Sequence, residues 1–149
     1  MIVPVKVKKL HPDATTPRYA TDGAACFDLH ALDDGTPHPN DGHAVHYRTG
    51  LAFEVPAGWV MLIHSRSGHG FNSALRLSNC TGVIDSDYRG EVMVSVRFDA
   101  SGDRRSTKLR AGDRIAQAMI LPIHTVELID ADTLSVTERG EGGFGSTGA

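Results

Sequence analysis

Apolar and polar residues alternate with a period of two along several short runs, and turn residues separate them. Val3, Val5 and Val7 face one way between Ile2 and Lys8 while Lys6 and Lys8 face the other, which predicts a half-buried strand. A strand is expected around Ala44–Tyr47 and another at Leu51–Val55, where Leu51, Phe53 and Val55 share a face. Glu91–Phe98 alternates most regularly, with Val92, Val94, Val96 and Phe98 on one side. Phe27-Asp28-Leu29 also alternates, so Asp28 points away from two apolar neighbours, as any exposed strand position would. Trp59–Ile63 is almost continuously apolar and predicts a strand covered on both faces. In Arg114–Ile123, Gln117 falls on the parity of Ile115, Met119 and Leu121, and an amide on an apolar face needs a partner. Ile123–Ile129 predicts a last strand. His11–Tyr19 and Asp33–Gly42 read as loops, Pro56-Ala57-Gly58 and Asp99–Arg105 as turns. The chain shows no long amphipathic helix and no internal repeat. Short strands and frequent turns predict an all-β sandwich or barrel.

Composition narrows the function. A chain of 149 residues with 40% hydrophobic content is one domain with a real core. Its net charge of -3 leaves no basic excess for neutralising a nucleic-acid backbone, so stable nucleic-acid binding is not expected. A few arginines can still cluster around a small anion. Cys26 and Cys80 are the only cysteines and fit a reducing compartment rather than a disulfide scaffold. Met1–Lys9 lacks a long apolar stretch and no run reaches transmembrane length, so neither a signal peptide nor a membrane partner is expected and the reading is cytoplasmic. Eight histidines raise the question of zinc, with His64 and His69 nearest to the candidate chemistry, but no ligand spacing with Cys supports a zinc site.

Candidate chemistry gathers in three places. Gly82–Glu91 (GVIDSDYRGE) sets Asp85, Asp87, Tyr88 and Arg89 between an apolar run and a regular strand. That arrangement presents a carboxylate and a ring to a ligand, or it is a β-hairpin with a wet turn. His64–Phe71 (HSRSGHGF) follows the apolar strand, and Ser65, Arg66, Ser67 and Gly68 offer charge, hydroxyls and approachable backbone N–H groups for an anion, or a polar turn opening a short helix. Asn79, just before Gly82, both donates and accepts, so it can read a base edge or close a turn. The terminal Arg139–Ala149 (RGEGGFGSTGA) has five glycines and cannot build a core. It contains the parts of a phosphate wrap, yet no Lys-Ser or Lys-Thr pair follows its glycines, so it is not a Walker loop.

Five stretches in order, ATDGAACFDLHA, SRSG, GVIDSDYRGEV, GDRIAQ and RGEGGFGSTG, resemble the trimeric all-β dUTP diphosphatases (dUTPases). They extend from Ala20 to Gly148, and the third and fifth are the most specific. The resemblance implies a jelly-roll-like distorted barrel of the β-clip type over residues 1–138, and a homotrimer. It also implies a flexible glycine-rich tail, residues 139–149, that completes a neighbour's active site. The implied reaction is hydrolysis of dUTP to dUMP and pyrophosphate, which limits uracil incorporation into DNA and supplies dUMP for thymidylate synthesis.

The resemblance also implies roles. Asp85 matches the carboxylate that orients and deprotonates the attacking water. Tyr88 matches the residue that packs on deoxyribose and leaves no room for a 2′-hydroxyl. Asn79 matches the uracil reader, helped by backbone around Val83 and Ile84, with Met93 at a neighbouring contact. Arg66, Ser67, Gly68 and Gln117 match phosphate contacts. In the tail, Arg139, Ser146 and Thr147 match groups on the terminal phosphate, Phe144 matches the ring that covers uracil, and Gly145 lies between them. Asp28 matches a carboxylate that reaches Mg2+ through water only, the metal being held mainly by the triphosphate. The chain departs from the pattern at Gly23-Ala24-Ala25-Cys26, at Ser65 where Pro is usual, and at His69 where an aliphatic residue is usual. Two other readings share the fold. One is a dUTP-responsive regulatory or binding protein that docks through the His-rich loop around Pro37–His46. The other is a dCTP deaminase, which needs a Glu at the base ring where this chain offers Asp85.

Overall fold

The computed structural model describes residues 2–99, 109–144 and 146. Its strands are β1 Lys6–Lys9, β2 Phe27–His30, β3 Thr36–His38, β4 Asp41–Arg48, β5 Leu51–Glu54, β6 Trp59–His64, β7 Leu75–Leu77, β8 Thr81–Ile84, β9 Met93–Phe98 and β10 Arg114–Pro122, with one helix, α1 Ser67–Ser73. Two four-stranded antiparallel sheets, ordered β2-β10-β6-β8 and β3-β4-β9-β7, and a β1-β5 pair make the all-β fold the periodicity predicts, jelly-roll-like as the resemblance implies. Leu29, Phe53, Met61, Leu77, Val94 and Ile115 are among the side chains sealed between the sheets. No helix among the described residues is long and apolar enough to cross a membrane.

Several local expectations change. β1 is shorter than Ile2–Lys8 and exposed throughout, because it pairs only with β5; the half-buried residues are Val3 and Val5. Asp33–Gly42 is not all loop: Thr36–His38 pairs with β4, and Pro37 is tolerated because β3 is the outermost strand of its sheet. Ile123–Ile129 forms no strand. It runs exposed, tied at its start by the Ile123 N–H to the Gly58 carbonyl at 2.8 Å, and its apolar residues meet no ladder within the chain. Of the expected turn at Asp99–Arg105, residues 100–105 lie outside the described residues.

The largest correction concerns Gly82–Glu91, which is not a hairpin. β8 pairs with β6 in one sheet, and β9 pairs with β4 and β7 in the other. The stretch is the chain's crossing from sheet to sheet, and Thr49–Leu51 pins its far end. The buried Thr49 hydroxyl donates to the Val92 carbonyl at 2.6 Å, and the Val92 N–H donates to the Leu51 carbonyl at 2.8 Å. Gly50 between them has φ +66, and a Cβ there would lie 2.9 Å from the Ala14 Cβ. Thr49→Val keeps the shape but leaves the Val92 carbonyl unpaired in the core. Urea denaturation should show a loss of about 1–3 kcal/mol, the usual scale for a buried group left unsatisfied.

Candidate active site

A cavity of about 320 Å³ opens where β8 and β7, the last strands of their sheets, diverge. Asn79, Gly82 and Met93 line it, joined by His46 and Ser95, over a floor of Ile63, Leu77 and Val94. A tight turn carries Asn79: the Thr81 N–H reaches the Asn79 carbonyl at 2.7 Å, and Cys80 takes φ 63 to allow it. The Ser78 and Ser95 hydroxyls, 2.8 Å apart, fix that turn to β9. Gly82 packs so close to β6 that an added Cβ would come within 3.2 Å of the Ile63 Cβ. Val83 faces solvent and Ile84 packs on the core, so Gly82 is the β8 residue that borders the cavity.

Three residues beyond Gly82 the chain turns. The Tyr88 N–H closes on the Asp85 carbonyl at 3.2 Å, and the Arg89 guanidinium holds the Ser86 and Tyr88 carbonyls at 2.7 and 3.0 Å. Asp85 and Asp87 are exposed, and the Tyr88 ring is 43% exposed. The turn thus offers a carboxylate and a ring to solvent beside the cavity.

A second cluster lies at the opposite end of the β6–β8 ladder. Arg66 leaves β6 in extended conformation to cap α1, and its Nε donates to the Asp28 Oδ1 at 2.8 Å. That bond orients the guanidinium and leaves its terminal nitrogens for another acceptor. Arg114 reaches the second Asp28 oxygen at 3.5 Å. The Ser67 and Gly68 N–H groups, at the first two helical positions, have no intrahelical partner, whereas His69 already bonds the Arg66 carbonyl at 3.1 Å. Gln117 does not share the face of Ile115 as its parity predicts. A register shift between Arg114 and Ala116 turns β10, so Gln117 sits opposite Asp28 on one side and His64 on the other. Its amide then donates to the Ser65 carbonyl at 3.0 Å, which is the partner the sequence required.

Two imidazoles border this cluster. Burial lowers the His30 pKa; Asp28 opposes the shift, and Arg114 and Arg66 add to it. The His30 Nδ1 is buried with no hydrogen-bond partner among the described residues. Burial likewise lowers the His69 pKa, reinforced by Arg66 and Arg114 and opposed by Asp113 and Asp28.

The predicted residues therefore form two groups. Asp85 and Tyr88 stand at one end of the β6–β8 ladder and Arg66, Ser67, Gly68, Gln117 and Asp28 at the other, while Asn79 enters β8 from the His64 end and lines the cavity with Met93. Ile84 pairs with Met61 and Thr81 with His64, so Asp85 is level with Val60, six positions short of Arg66. Their backbones are on the order of 20 Å apart. In the tail, the Arg139 guanidinium bonds the Gly142 carbonyl at 2.8 Å and Phe144 is fully exposed, so neither meets the other groups within the chain. Gly145 and Thr147 lie outside the described residues; Ser146 donates its N–H to Gly143 at 3.0 Å. His46 and Ser95 were missed because only the β4–β9 register brings them opposite one another. Arg114 was legible, since it stands inside the GDRIAQ block.

Among the described residues no three His, Cys, Asp or Glu side chains converge as a metal site. Asp28 supplies hard oxygen donors, already engaged by two arginines, so it fits Mg2+ as a partner through water rather than as a direct ligand.

Comparison with known proteins agrees on one family. The dUTPase family profile matches residues 12–148. A deoxyuridine 5′-triphosphate nucleotidohydrolase of Nautilia profundicola is 42% identical over 144 residues, covering 97% of this chain and 98% of that protein. The Helicobacter pylori (strain P12) protein of the same name is 37% identical, covering 97% and 96%. Among solved structures, the Staphylococcus bacteriophage 80alpha dUTPase G164S mutant with dUpNHpp superposes with a TM-score of 0.81 at 27% identity, covering 98% of this chain and 99% of that one.

The two lowered imidazole pKa values have a testable consequence. A folded pKa below the ordinary 6.5 means that the unfolded chain binds the proton more tightly. The stability is present above that value and drains away as pH falls. The melting temperature should hold above about pH 7 and decline between about pH 6.5 and pH 5. Replacing both residues, His30→Asn with His69→Asn, should flatten that limb; an unchanged slope would place the effect elsewhere.

Proposed function

The chain belongs to the dUTPase family, and we propose from its geometry how it hydrolyses dUTP to dUMP and pyrophosphate. The observation that carries the reading is the small cavity lined by Asn79, Gly82 and Met93 beside the turn that presents Asp85 and Tyr88. Uracil enters the cavity and meets the Asn79 amide. The Tyr88 ring covers the deoxyribose and excludes a 2′-hydroxyl. Asp85 orients a water and takes its proton as the water oxygen bonds to the α-phosphorus. The bond from that phosphorus to the bridging oxygen breaks, and pyrophosphate leaves.

Arg66, Ser67, Gly68 and Gln117 hold the phosphates, with Arg114 alongside. Asp28 would approach a Mg2+ ion bound with the triphosphate through water, and that ion would supply charge neutralisation at the reacting phosphorus. Asp28 also keeps Arg66 aimed, so the guanidinium meets the polyanion without first reorganising.

The separation of Asp85 from Arg66 supports a site shared between copies. A carboxylate and a guanidinium whose backbones stand on the order of 20 Å apart on one ladder are a long reach for a single nucleotide, which favours contributions from two chains. The base group of one chain therefore faces the phosphate group of another in a homotrimer, and the tail, Arg139 to Thr147 with Phe144 and Ser146, closes over a neighbour's site. The exposed apolar Ile123, Val126, Leu128 and Ile129, together with an open groove of about 860 Å³ beside Val3, Val5, Tyr19 and Trp59, support self-association.

Incubation with dUTP and Mg2+ should release dUMP and pyrophosphate, with UTP and dTTP turned over far more slowly. Asp85→Asn should bind dUTP near normally and lose about two to four orders of magnitude in turnover; near-normal turnover in it but not in Asp87→Asn would mean the other carboxylate is the base. Co-refolding Asp85→Asn with Arg66→Gln tests the shared site. Random mixing gives about a quarter of sites both intact halves in a symmetric ring. Activity should reappear in the mixture while each variant alone stays inactive, and a dead mixture with mixed trimers confirmed by mass would exclude sharing.

A further inference from the structure

Glu91 follows the turn that carries Asp85 and Tyr88, and its two ends face different partners. Its carboxylate, 19% exposed, accepts the Gly50 N–H at 2.8 Å and the Arg48 Nε at 3.1 Å. Its backbone carbonyl accepts the Tyr88 hydroxyl at 3.0 Å. Gly90 lies beneath the same ring, and any Cβ there would collide with the Tyr88 hydroxyl. Tyr88 is thus folded over Gly90 and tied to Glu91, while Glu91 is tied to the β4–β5 turn.

That turn is fixed independently. Thr49 and Leu51 hold Val92 through the two main-chain links described above, and Arg48 stands opposite Met93 in the β4–β9 ladder. Neither link uses the Glu91 carboxylate. Removing the carboxylate therefore leaves the sheet crossing pinned at Val92. It frees only the Glu91 peptide and Gly90, which are what Tyr88 leans on.

We propose that Glu91 is a positioning residue for sugar selection: its carboxylate locks the peptide that anchors Tyr88, and so sets how closely the ring approaches the 2′ carbon of the nucleotide. The inference rests on the reading of Tyr88 as the residue that covers the sugar. Asp85 lies on the far side of the turn, whose closure by the Tyr88 N–H does not involve Glu91. The effect should therefore fall on discrimination between dUTP and UTP rather than on the chemical step.

The test compares kcat/KM for dUTP and UTP in the full-length protein. Glu91→Ala should lower the dUTP:UTP ratio about five- to tenfold, the scale of one lost hydrogen bond, mainly through better use of UTP. Glu91→Gln keeps an acceptor for the Gly50 N–H, so it should keep most of the ratio, and it remains informative if the alanine variant folds poorly. Tyr88→Phe, which loses only the hydroxyl, should reproduce the alanine effect, and adding Glu91→Ala to it should change little more. An equal fall in kcat/KM for both nucleotides, or additive losses in the double variant, would overturn the proposal. Tyr88→Ala separates the layers. If it abolishes discrimination while Glu91→Ala retains it, only the Glu91 role fails. If it retains discrimination, the sugar-covering role of Tyr88 fails and takes the proposal with it.

Discussion

The register of β6 against its two neighbours governs the molecule. β6 lies inside its sheet, bonded along one side to β10 and along the other to β8. Met61 and Ile63 share a face and are buried, so sliding β6 by one residue would turn both toward the opposite face. That hydrophobic penalty locks the ladder, and the locked ladder sorts the polar residues beyond its ends. Arg66 emerges at one end with Gln117 and Asp28 across the sheet. Asp85 emerges at the other. Neither group can drift toward its counterpart without breaking the core.

The charged end shows how a polyanion site can persist before its ligand arrives. Two arginines close together repel one another, and Asp28 between Arg66 and Arg114 offsets that repulsion. Burial and the arginines disfavour positive charge on His30 and His69, so the imidazoles add none near neutral pH. The result is a cluster whose charge is carried by the arginines and Asp28 rather than by the imidazoles.

Regular alternation was the readable part. Leu51–Val55 and Glu91–Phe98 form strands close to where their period places them, and the apolar run Trp59–Ile63 is a central strand. The motif blocks also marked the residues that now cluster around Asp28. What failed was non-local. Parity assigned Gln117 to the core face because a bulge leaves no mark on period two; the Arg114/Ala116 shift exists only against β2. A hairpin stood as one of two readings of Gly82–Glu91 because both flanks look like strands, and nothing local says that they join different sheets. Ile123–Ile129 has strand-like residues but no ladder within its own chain. His46 entered the cavity through its pairing with Ser95, a third of the chain away.

One feature of β8 reaches beyond this chain's own chemistry. β8 is the last strand of its sheet, so one row of its main-chain N–H and C=O groups has no neighbouring strand. Such a row alternates donor and acceptor, as the edge of a nucleobase does. A partner bonded along it would be read by groups that every amino acid carries. Val83, 59% exposed, can therefore drift through many side chains without erasing it, whereas Gly82, pressed against Ile63, cannot. Any selectivity exerted through that row would be robust to mutation on one side of the strand and brittle on the other. Variation among relatives should then be tolerated at the exposed position and refused at its neighbour.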